Sequence, residues 1–323
     1  MTEIADAFTF IADEAAGGQR IDAFLAKVMP GISRAYIASL IHAGQVSVCQ
    51  KKIKPGYRIR PGDEISGQIP APRPGDCLPE QIPLDIIFQD KDLLVLNKPA
   101  GMVVHPAPGH PSGTLVNALL HHCPDLVGIS GEIRPGIVHR LDKDTTGILV
   151  AAKNAEAQAG LAEQFKLRRI QKKYLAVVHG HMETSRGSIV MPIGRHPVDR
   201  IKMSTIAKSG RNAETRWVLL EPLPQASLVE VDLLTGRTHQ IRVHFAAIRH
   251  AVVGDPLYGP RHGAFGSSEV FRTLLRSITR QMLHAWQIRF MHPTSGAEMC
   301  FTAPVPCDMD QFIIALRTVN PGA

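Results

Sequence analysis

The segment from Ile137 to Val150 is a dense polar stretch set between apolar runs typical of strands. It carries two carboxylates, Asp142 and Asp144, together with the guanidinium of Arg140. A carboxylate held in a cleft can attack carbon as a nucleophile or remove a proton as a general base. From periodicity alone, a structural aspartate turn and a catalytic site both remain open.

Positive charge is concentrated in two segments of a chain whose net charge is +7. Residues 19–62 contain eight Lys or Arg and one acidic residue, which gives that segment a net charge of +7. Residues 166–173 contain five Lys or Arg in eight positions. One such cluster is as typical of a solvated surface as of a binding site, but two favour a polyanionic partner such as nucleic acid.

Composition excludes several other classes of protein. The 323 residues are 44% hydrophobic and 20% charged, which is typical of a globular chain and not of a disordered or collagenous one. No apolar run is long enough to span a membrane, and the acidic N-terminal segment lacks the pattern of a secretory signal. The five cysteines include no Cys-x-x-Cys pair, so we expect no disulfide framework, no zinc site and a cytoplasmic location.

The stretch 70–75, with three prolines and one glycine, predicts a stiff connector between two parts of the chain. Before it, apolar spacing predicts helices over 21–28 and 34–42, the second capped by Ser33. A strand at 45–48 and a closing strand at 64–69 complete a small basic module.

After the connector, strand-like runs greatly outnumber helical ones. Helices are expected over 114–121 and 155–166, within 238–248, and at the end of the chain. Strands are expected at 92–97, 147–152, 170–178, 186–191, 213–220, 227–234, 286–291 and 298–303. Many consecutive strands with few helices between them predict an α+β fold with a central, mostly antiparallel sheet.

The N-terminal module resembles the S4 RNA-binding domain. The matching pattern is R-x-D-x-F-L from Arg20, then S-R at 33–34, L-I-x-x-G-x-V-x-V from Leu40, and P-G-D-x-I at 61–65. The turn after the strand departs from the family, which usually has Asn-Gly where this chain has Cys49-Gln50. The resemblance implies RNA contacts by four basic residues of the module: Arg20, Arg34, Lys51 and Lys52.

The rest of the chain resembles the RluA-type pseudouridine synthases, which detach a uracil from its ribose within RNA, rotate it and reattach it through carbon 5. The motifs that carry the resemblance are H-R-L-D-K-D-T-T-G (139–147), K-Y-L-A-V (173–177), L-T-G-R-T-H-Q-I-R-V-H (234–244) and G-D-P-L-Y-G (254–259). The likeness covers about residues 19–315 and is greatest to the family's bacterial 23S ribosomal RNA members.

The resemblance implies a role for each of the main site residues. Asp142 is the essential carboxylate, as nucleophile or as general base, and Arg242 pairs with it and keeps it ionised. Tyr174 stacks on the target uracil and can shuttle a proton, while Arg140 takes the place of the extruded base. Asp144 is expected to be structural, which also argues against a glycoside hydrolase pair. The remaining expected RNA contacts are Arg168, Arg169, Lys172, Lys173, Arg237 and His239.

The sequence therefore predicts an S4-like domain (19–69), a linker (70–79) and a pseudouridine synthase domain (80–323). The expected partner is 23S ribosomal RNA or the large ribosomal subunit, modified at the helix 69 stem-loop by a monomeric protein. No Walker-type or G-x-G-x-x-G loop follows a strand, and the isomerisation needs no redox change, so no cofactor is expected. A different ribosomal or transfer RNA site, or a non-catalytic RNA-binding or ribosome-assembly factor, remain the alternatives.

Overall fold

The computed structural model describes residues 4–29, 34–70, 77–106, 110–126, 136–199, 201–207, 209–260 and 268–319. The chain forms two compact units, one of residues 1–82 with 116–136 and the other of residues 83–115 with 137–323. Among the described residues, no helix has both the length and the apolar character that crossing a membrane requires.

The first unit contains a small antiparallel sheet and two helices. In chain order its elements before residue 82 are β1 (Ile4–Ile11), α1 (Ile21–Val28), α2 (Arg34–His42), β2 (Val46–Val48), β3 (Lys51–Lys52) and β4 (Glu64–Pro70). The strands are ordered β1-β4-β2-β3. Both helices have the predicted bounds, whereas β1 was not predicted; Ser33, the expected cap of α2, and residues 71–76 of the expected linker lie outside the described residues.

One buried cluster holds the first unit together. Ile21 and Leu25 of α1 and Ile65 of β4 are fully buried in it. Cys49 (φ +47°) and Gln50 (φ +62°) form a two-residue turn between β2 and β3 with a left-handed backbone at both positions. Asn-Gly is the usual sequence for this kind of turn. The hairpin is therefore kept in this chain, although Cys49 and Gln50 adopt a left-handed backbone less readily than the usual Asn-Gly.

The second unit is built on one large sheet. Its strands are β5 (Asp85–Gln89), β6 (Leu93–Lys98), β7 (Thr146–Ala152), β8 (Gln171–His179), β9 (Arg186–Val190), β10 (Gly194–Arg195), β11 (Met203–Ser204), β12 (Glu214–Leu223), β13 (Ala226–Leu233), β14 (Leu283–Met291) and β15 (Glu298–Thr302). Its helices are α4 (Ala155–Lys166), α5 (Gln240–Ala247), α6 (Glu269–Arg276) and α7 (Cys307–Thr318); α3 (Leu115–His122) begins in this unit and continues in the first.

The large sheet has the order β5-β6-β7-β14-β8-β13-β12-β9, with β15 paired to β14 and β10–β11 forming a separate hairpin. Its described pairs are antiparallel except that of β7 with β14. This confirms the predicted α+β class with a mostly antiparallel sheet. Every residue of β7 is buried, which explains its continuous apolar sequence.

Gly147 is required where β7 meets β14. Its φ is +113°, and a Cβ atom there would lie 2.1 Å from the backbone oxygen of Ala285. Only glycine combines this backbone conformation with such a close approach of two strands. The close approach of β7 and β14 at Gly147 therefore fixes the point at which the preceding polar segment joins β7.

Candidate active site

Asp142 lies in a loop that is held by hydrogen bonds from Lys98, the last residue of β6. The fully buried Lys98 ammonium donates hydrogen bonds to the backbone oxygens of Pro99 (2.7 Å), Met102 (3.0 Å) and Lys143 (3.0 Å). Burial lowers the pKa of Lys98 to about 8, although the negative charges nearby oppose the shift. Lys98 was not among the predicted site residues; its signal was a lysine that ends a mostly apolar strand and precedes a proline.

The residues just before β14 also hold this loop by hydrogen bonds. The Gln281 amide donates to Thr145 Oγ1 (3.2 Å), and Arg280 Nη1 donates to the backbone oxygen of Asp144 (3.4 Å). Arg280 is in turn held by two 2.6 Å hydrogen bonds to the carboxylate of Asp308 at the start of α7. The backbone around Asp142 is thus tied to two distant parts of the chain.

The Asp142 carboxylate is held by Arg242, which projects from the first turn of α5. Arg242 Nη1 donates to Asp142 Oδ2 at 3.0 Å. The same guanidinium donates through Nε (2.6 Å) and Nη2 (2.9 Å) to the two oxygens of Asp255, whose side chain is fully buried. Burial opposes the charge on Arg242, but the hydrogen bonds and charges of Asp255 and Asp142 raise its pKa overall. The guanidinium therefore stays charged, and its bidentate pairing fixes its orientation.

Asp255, which orients Arg242, was not among the predicted site residues, although it lies in the motif G-D-P-L-Y-G at 254–259. Its Oδ1 also accepts hydrogen bonds from the backbone N–H groups of Leu257 (2.9 Å) and Tyr258 (3.0 Å). The Tyr258 ring lies under Arg242, with 5.2 Å from its centroid to the guanidinium carbon. Arg242 is thus enclosed by a carboxylate and an aromatic face, which leaves Nη1 directed at Asp142.

A cleft of about 930 Å³ opens above these groups. Tyr174 of β8 lies in its wall; burial, together with the charge of Asp142, raises the pKa of this phenol, so the hydroxyl keeps its proton. The cleft is lined by eight of the predicted site residues: Arg140, Asp142, Arg168, Lys172, Tyr174, Arg237, His239 and Arg242. Residues far apart in the sequence are thereby brought to one cavity.

The far side of the cleft contains aromatic and basic groups. His139 accepts a hydrogen bond from Val150 N–H (3.0 Å) and stacks on Phe165 at 4.8 Å between ring centroids. Its burial lowers the pKa of His139 to about 3, so the ring is neutral. The Lys172 ammonium lies 5.6 Å from the Phe165 ring centroid, and burial lowers its pKa against the opposing charge of Asp232.

A buried polar network supports the third motif. Gln240 accepts hydrogen bonds from Thr235 Oγ1 (2.7 Å) and Arg237 N–H (3.0 Å), and donates to Thr215 Oγ1 (2.9 Å). His244 lies 2.8 Å from the same threonine hydroxyl. Buried polar groups must be paired in this way, and here the pairing fixes the turn that leads into α5.

The other predicted RNA contacts lie outside the cleft lining. Lys173 forms an ion pair with Glu230 at 2.7 Å, and Arg169 is exposed. Four more belong to the first unit: Lys51 and Lys52, exposed on β3, and Arg20 and Arg34, whose guanidinium groups both pair with Asp22 at 2.9 and 3.1 Å.

One group of side chains in the described residues has the spacing of metal ligands. The ligand atoms of Asp90, Asp92 and His292 lie within 4.8 Å of one another, away from the cleft lining. Each already has a protein partner: His292 Nε2 is 2.8 Å from Asp90 Oδ2, and Asn154 donates to Asp92 (2.8 Å). These hydrogen bonds explain why the three side chains lie close together, so the cluster has a structural role.

Comparison with known proteins identifies the family. The chain matches the family models for RNA pseudouridylate synthase over residues 92–247 and for the S4 domain over residues 19–65. It is 46% identical to the uncharacterized RNA pseudouridine synthase YlyB of Bacillus subtilis, over 95% of this chain and 97% of that protein. It is 46% and 43% identical to ribosomal large subunit pseudouridine synthase D of Zymomonas mobilis and Escherichia coli O6:H1, over 94% and 93% of this chain and 95% and 91% of those proteins.

The solved structure of human RNA pseudouridylate synthase domain containing 1 is similar, with a TM-score of 0.55 and 29% identity, over 74% of this chain and 97% of that chain. The chain belongs to the RNA pseudouridine synthase family, and it is an enzyme that isomerises uridine in RNA. Within the family it is of the RluA type and resembles RluD, the ribosomal large subunit pseudouridine synthase D, as the motifs predicted.

Proposed function

We propose that this enzyme modifies uridines of bacterial 23S ribosomal RNA, with the helix 69 stem-loop as the expected target. The names of its relatives from Zymomonas mobilis and Escherichia coli support a large-subunit substrate. The basic S4 domain supports an extended RNA partner, because phosphate contacts supply much of the affinity for nucleic acid. We propose further that the enzyme acts as a cytoplasmic monomer.

The observation that carries the catalytic assignment is the ion pair of Asp142 with Arg242 beside Tyr174 in the cleft. The reaction breaks the bond between uracil N1 and the ribose and forms a bond from ribose to C5, while a proton leaves C5 and N1 gains one. Arg242 binds Oδ2, which leaves Oδ1 with a lone pair for the nucleotide. That oxygen can attack the sugar or accept a proton, and the charge of the carboxylate stabilises positive charge on the sugar in either route.

The other cleft residues have roles that fit extrusion of the base. Tyr174 offers a protonated phenol that stacks on the uracil and can pass on a proton. Arg140 is exposed at the cleft and replaces the extruded base in the RNA stack, since extrusion costs a few kcal/mol that stacking and hydrogen bonds can offset. Arg168, Lys172 and Arg237 neutralise phosphates of the strand.

We propose that the three segments predicted from the sequence have separate roles. Residues 19–69 bind the RNA, residues 70–79 link the two domains, and residues 80–323 catalyse the reaction. The exposed Lys51 and Lys52 and the half-exposed Arg20 and Arg34 are the contacts of the first part, joined by Arg169 and Lys173 in the second. Because Arg20 and Arg34 share Asp22, both guanidinium groups are oriented before RNA arrives.

Mapping of pseudouridine by carbodiimide labelling and primer extension tests this proposal. The substrates are naked 23S ribosomal RNA, isolated large subunits and transfer RNA. The unmodified protein should give new stops in the large-subunit RNA, and Asp142→Asn should give none while its affinity for RNA stays within about tenfold. Asp144→Asn, which removes a neighbouring carboxylate of the same loop, is the matched control and should keep turnover.

Turnover by Asp142→Asn would overturn the catalytic assignment. Stops on transfer RNA alone would move the substrate to that class, and no stops on any of the three RNAs would overturn the proposed large-subunit substrate.

A further inference from the structure

His239 lies beside the second oxygen of Asp142. It precedes α5 with a left-handed backbone (φ +56°), a conformation that a non-glycine residue keeps only where its surroundings hold it. Its Nε2 is 3.9 Å from Asp142 Oδ1, and its Nδ1 is 2.8 Å from the hydroxyl oxygen of Tyr258. The sequence placed His239 among the RNA contacts, whereas this geometry directs the ring at the carboxylate.

The partners of Tyr258 determine which nitrogen of His239 carries the proton. The Tyr258 hydroxyl accepts a hydrogen bond from the backbone N–H of Met203, in β11, at 2.8 Å. Burial raises the pKa of Tyr258, so the phenol keeps its proton. A phenol has one proton to donate, and among the described contacts its acceptor is His239 Nδ1. A neutral imidazole that accepts at Nδ1 carries its own proton on Nε2.

The charge state of His239 agrees with this arrangement. Burial lowers the pKa of the ring, and the positive charges of Arg242 and Arg140 act in the same direction. The negative charges of Asp142 and Asp255 oppose the shift without cancelling it. The ring is therefore neutral at neutral pH and presents an Nε2–H to Asp142.

We propose that His239 is a positioning residue whose Nε2–H orients Oδ1 of Asp142, and that Tyr258 fixes the tautomer that makes this possible. The inference rests on the proposed function, in which Asp142 is the reacting carboxylate. Arg242 alone holds one oxygen and leaves the carboxylate free to turn about its last bond. A second donor at the other oxygen stops that rotation. The 3.9 Å separation is longer than a hydrogen bond, and such contacts often tighten only when substrate is bound.

The first test is the tautomer itself, which is measured without activity. Long-range ¹H–¹⁵N spectra of histidine-labelled protein, assigned with His239→Asn, should show His239 protonated at Nε2 and not at Nδ1. Tyr258→Phe removes only the hydroxyl, and it should give a mixture of the two tautomers. An Nδ1-protonated ring in the unmodified protein, or an unchanged tautomer in Tyr258→Phe, would overturn the proposal.

Kinetics with 23S ribosomal RNA supply the second test. Tyr258→Phe should lower kcat about tenfold and leave KM within about twofold, because orientation acts on the reacting carboxylate and not on RNA affinity. Tyr57→Phe is the matched control for the spectra: it removes a hydroxyl bound to Asp63 in the first unit and should leave the His239 signals unchanged. Unmodified kcat in Tyr258→Phe would refute the positioning role.

A pair of substitutions at His239 separates orientation from folding. Glutamine places its amide near the position of Nε2 and should keep kcat within about fivefold, whereas asparagine places it near Nδ1 and should lose about a hundredfold. Equal losses would contradict the proposal. If Asp142→Asn is active, the proposed function fails; if it is inactive while Tyr258→Phe keeps full kcat, only this inference fails.

Discussion

Replacement of Lys98 by methionine tests how the Asp142 loop is supported. Lys98 is fully buried, and its ammonium is shared among three backbone oxygens, one of them at Lys143. Methionine has a similar length but no charge. Methionine does not titrate, so any change with pH in the stability difference between the two proteins comes from Lys98. The pH dependence of the difference between the two proteins therefore isolates the ammonium.

The pKa of Lys98 falls from 10.5 to about 8 on folding because of burial. Below pH 8 the lysine is charged in both states, and its desolvation lowers the free energy of unfolding by about 3 kcal/mol, at about 1.4 kcal/mol per pKa unit. As the pH rises from 8 towards 10.5, the unfolded chain binds more protons than the folded chain, so this penalty disappears and stability rises. Between pH 7 and pH 10 the gain is about 2 to 3 kcal/mol.

Urea unfolding of both proteins at pH 7, 8, 9 and 10 measures this gain. The two tryptophans of the chain, Trp217 and Trp286, both lie in the second unit, so their fluorescence reports the part that contains Lys98. The unmodified protein should gain about 2 to 3 kcal/mol relative to Lys98→Met across this range. A difference that stays flat within about 0.5 kcal/mol, or that shrinks as the pH rises, would refute the reasoning.

Three further substitutions have definite expected outcomes. Gly147→Ala forces a Cβ to 2.1 Å from the Ala285 oxygen, so thermal unfolding should show a loss of about 3 kcal/mol or more, and a stable variant would contradict the need for glycine. Arg242→Lys replaces a planar fork by one ammonium, and steady-state assays should show kcat reduced about a hundredfold; a loss confined to KM would disprove the orienting role. Replacing Lys51 and Lys52 together by alanine should lower the salt dependence of RNA affinity by about 1.4 in slope at unchanged kcat, and an unchanged slope would remove both from the interface.

Local elements followed from the sequence because their causes are local. The predicted bounds of α1 and α2 agree with the structure, since helical spacing and the residues that end a helix lie within a few positions of each other. The strand β1 (Ile4–Ile11) was missed because its acidic, mixed sequence has little alternation, and its pairing partner β4 lies more than fifty residues away. The helix α6 was missed although Ser268 caps it through a 3.2 Å bond to Phe271 N–H.

The contacts of the site were predictable only in part. The pairing of Asp142 with Arg242, one hundred residues apart, came from the motifs, because no spacing rule relates two such distant positions. Asp255 and Lys98 were missed since a buried carboxylate and a buried ammonium look like ordinary loop charges until the groups that enclose them are known. His239 was predicted as an RNA contact, and only its left-handed backbone and the Tyr258 hydroxyl direct it at the carboxylate.

The triad of Asp142, Arg242 and Asp255 has an uneven charge count, with two carboxylates and one guanidinium. With His239 neutral and Tyr174 protonated, these three side chains have a formal net charge of −1, whereas the cleft lining also holds the basic residues Arg140, Arg168, Lys172 and Arg237. A phosphate that approached the two carboxylates would meet like charge and be repelled. A neutral uracil ring meets no such barrier. We therefore expect the cleft to sort the parts of a nucleotide by charge, with the backbone kept at the cationic rim and the base admitted to the carboxylate.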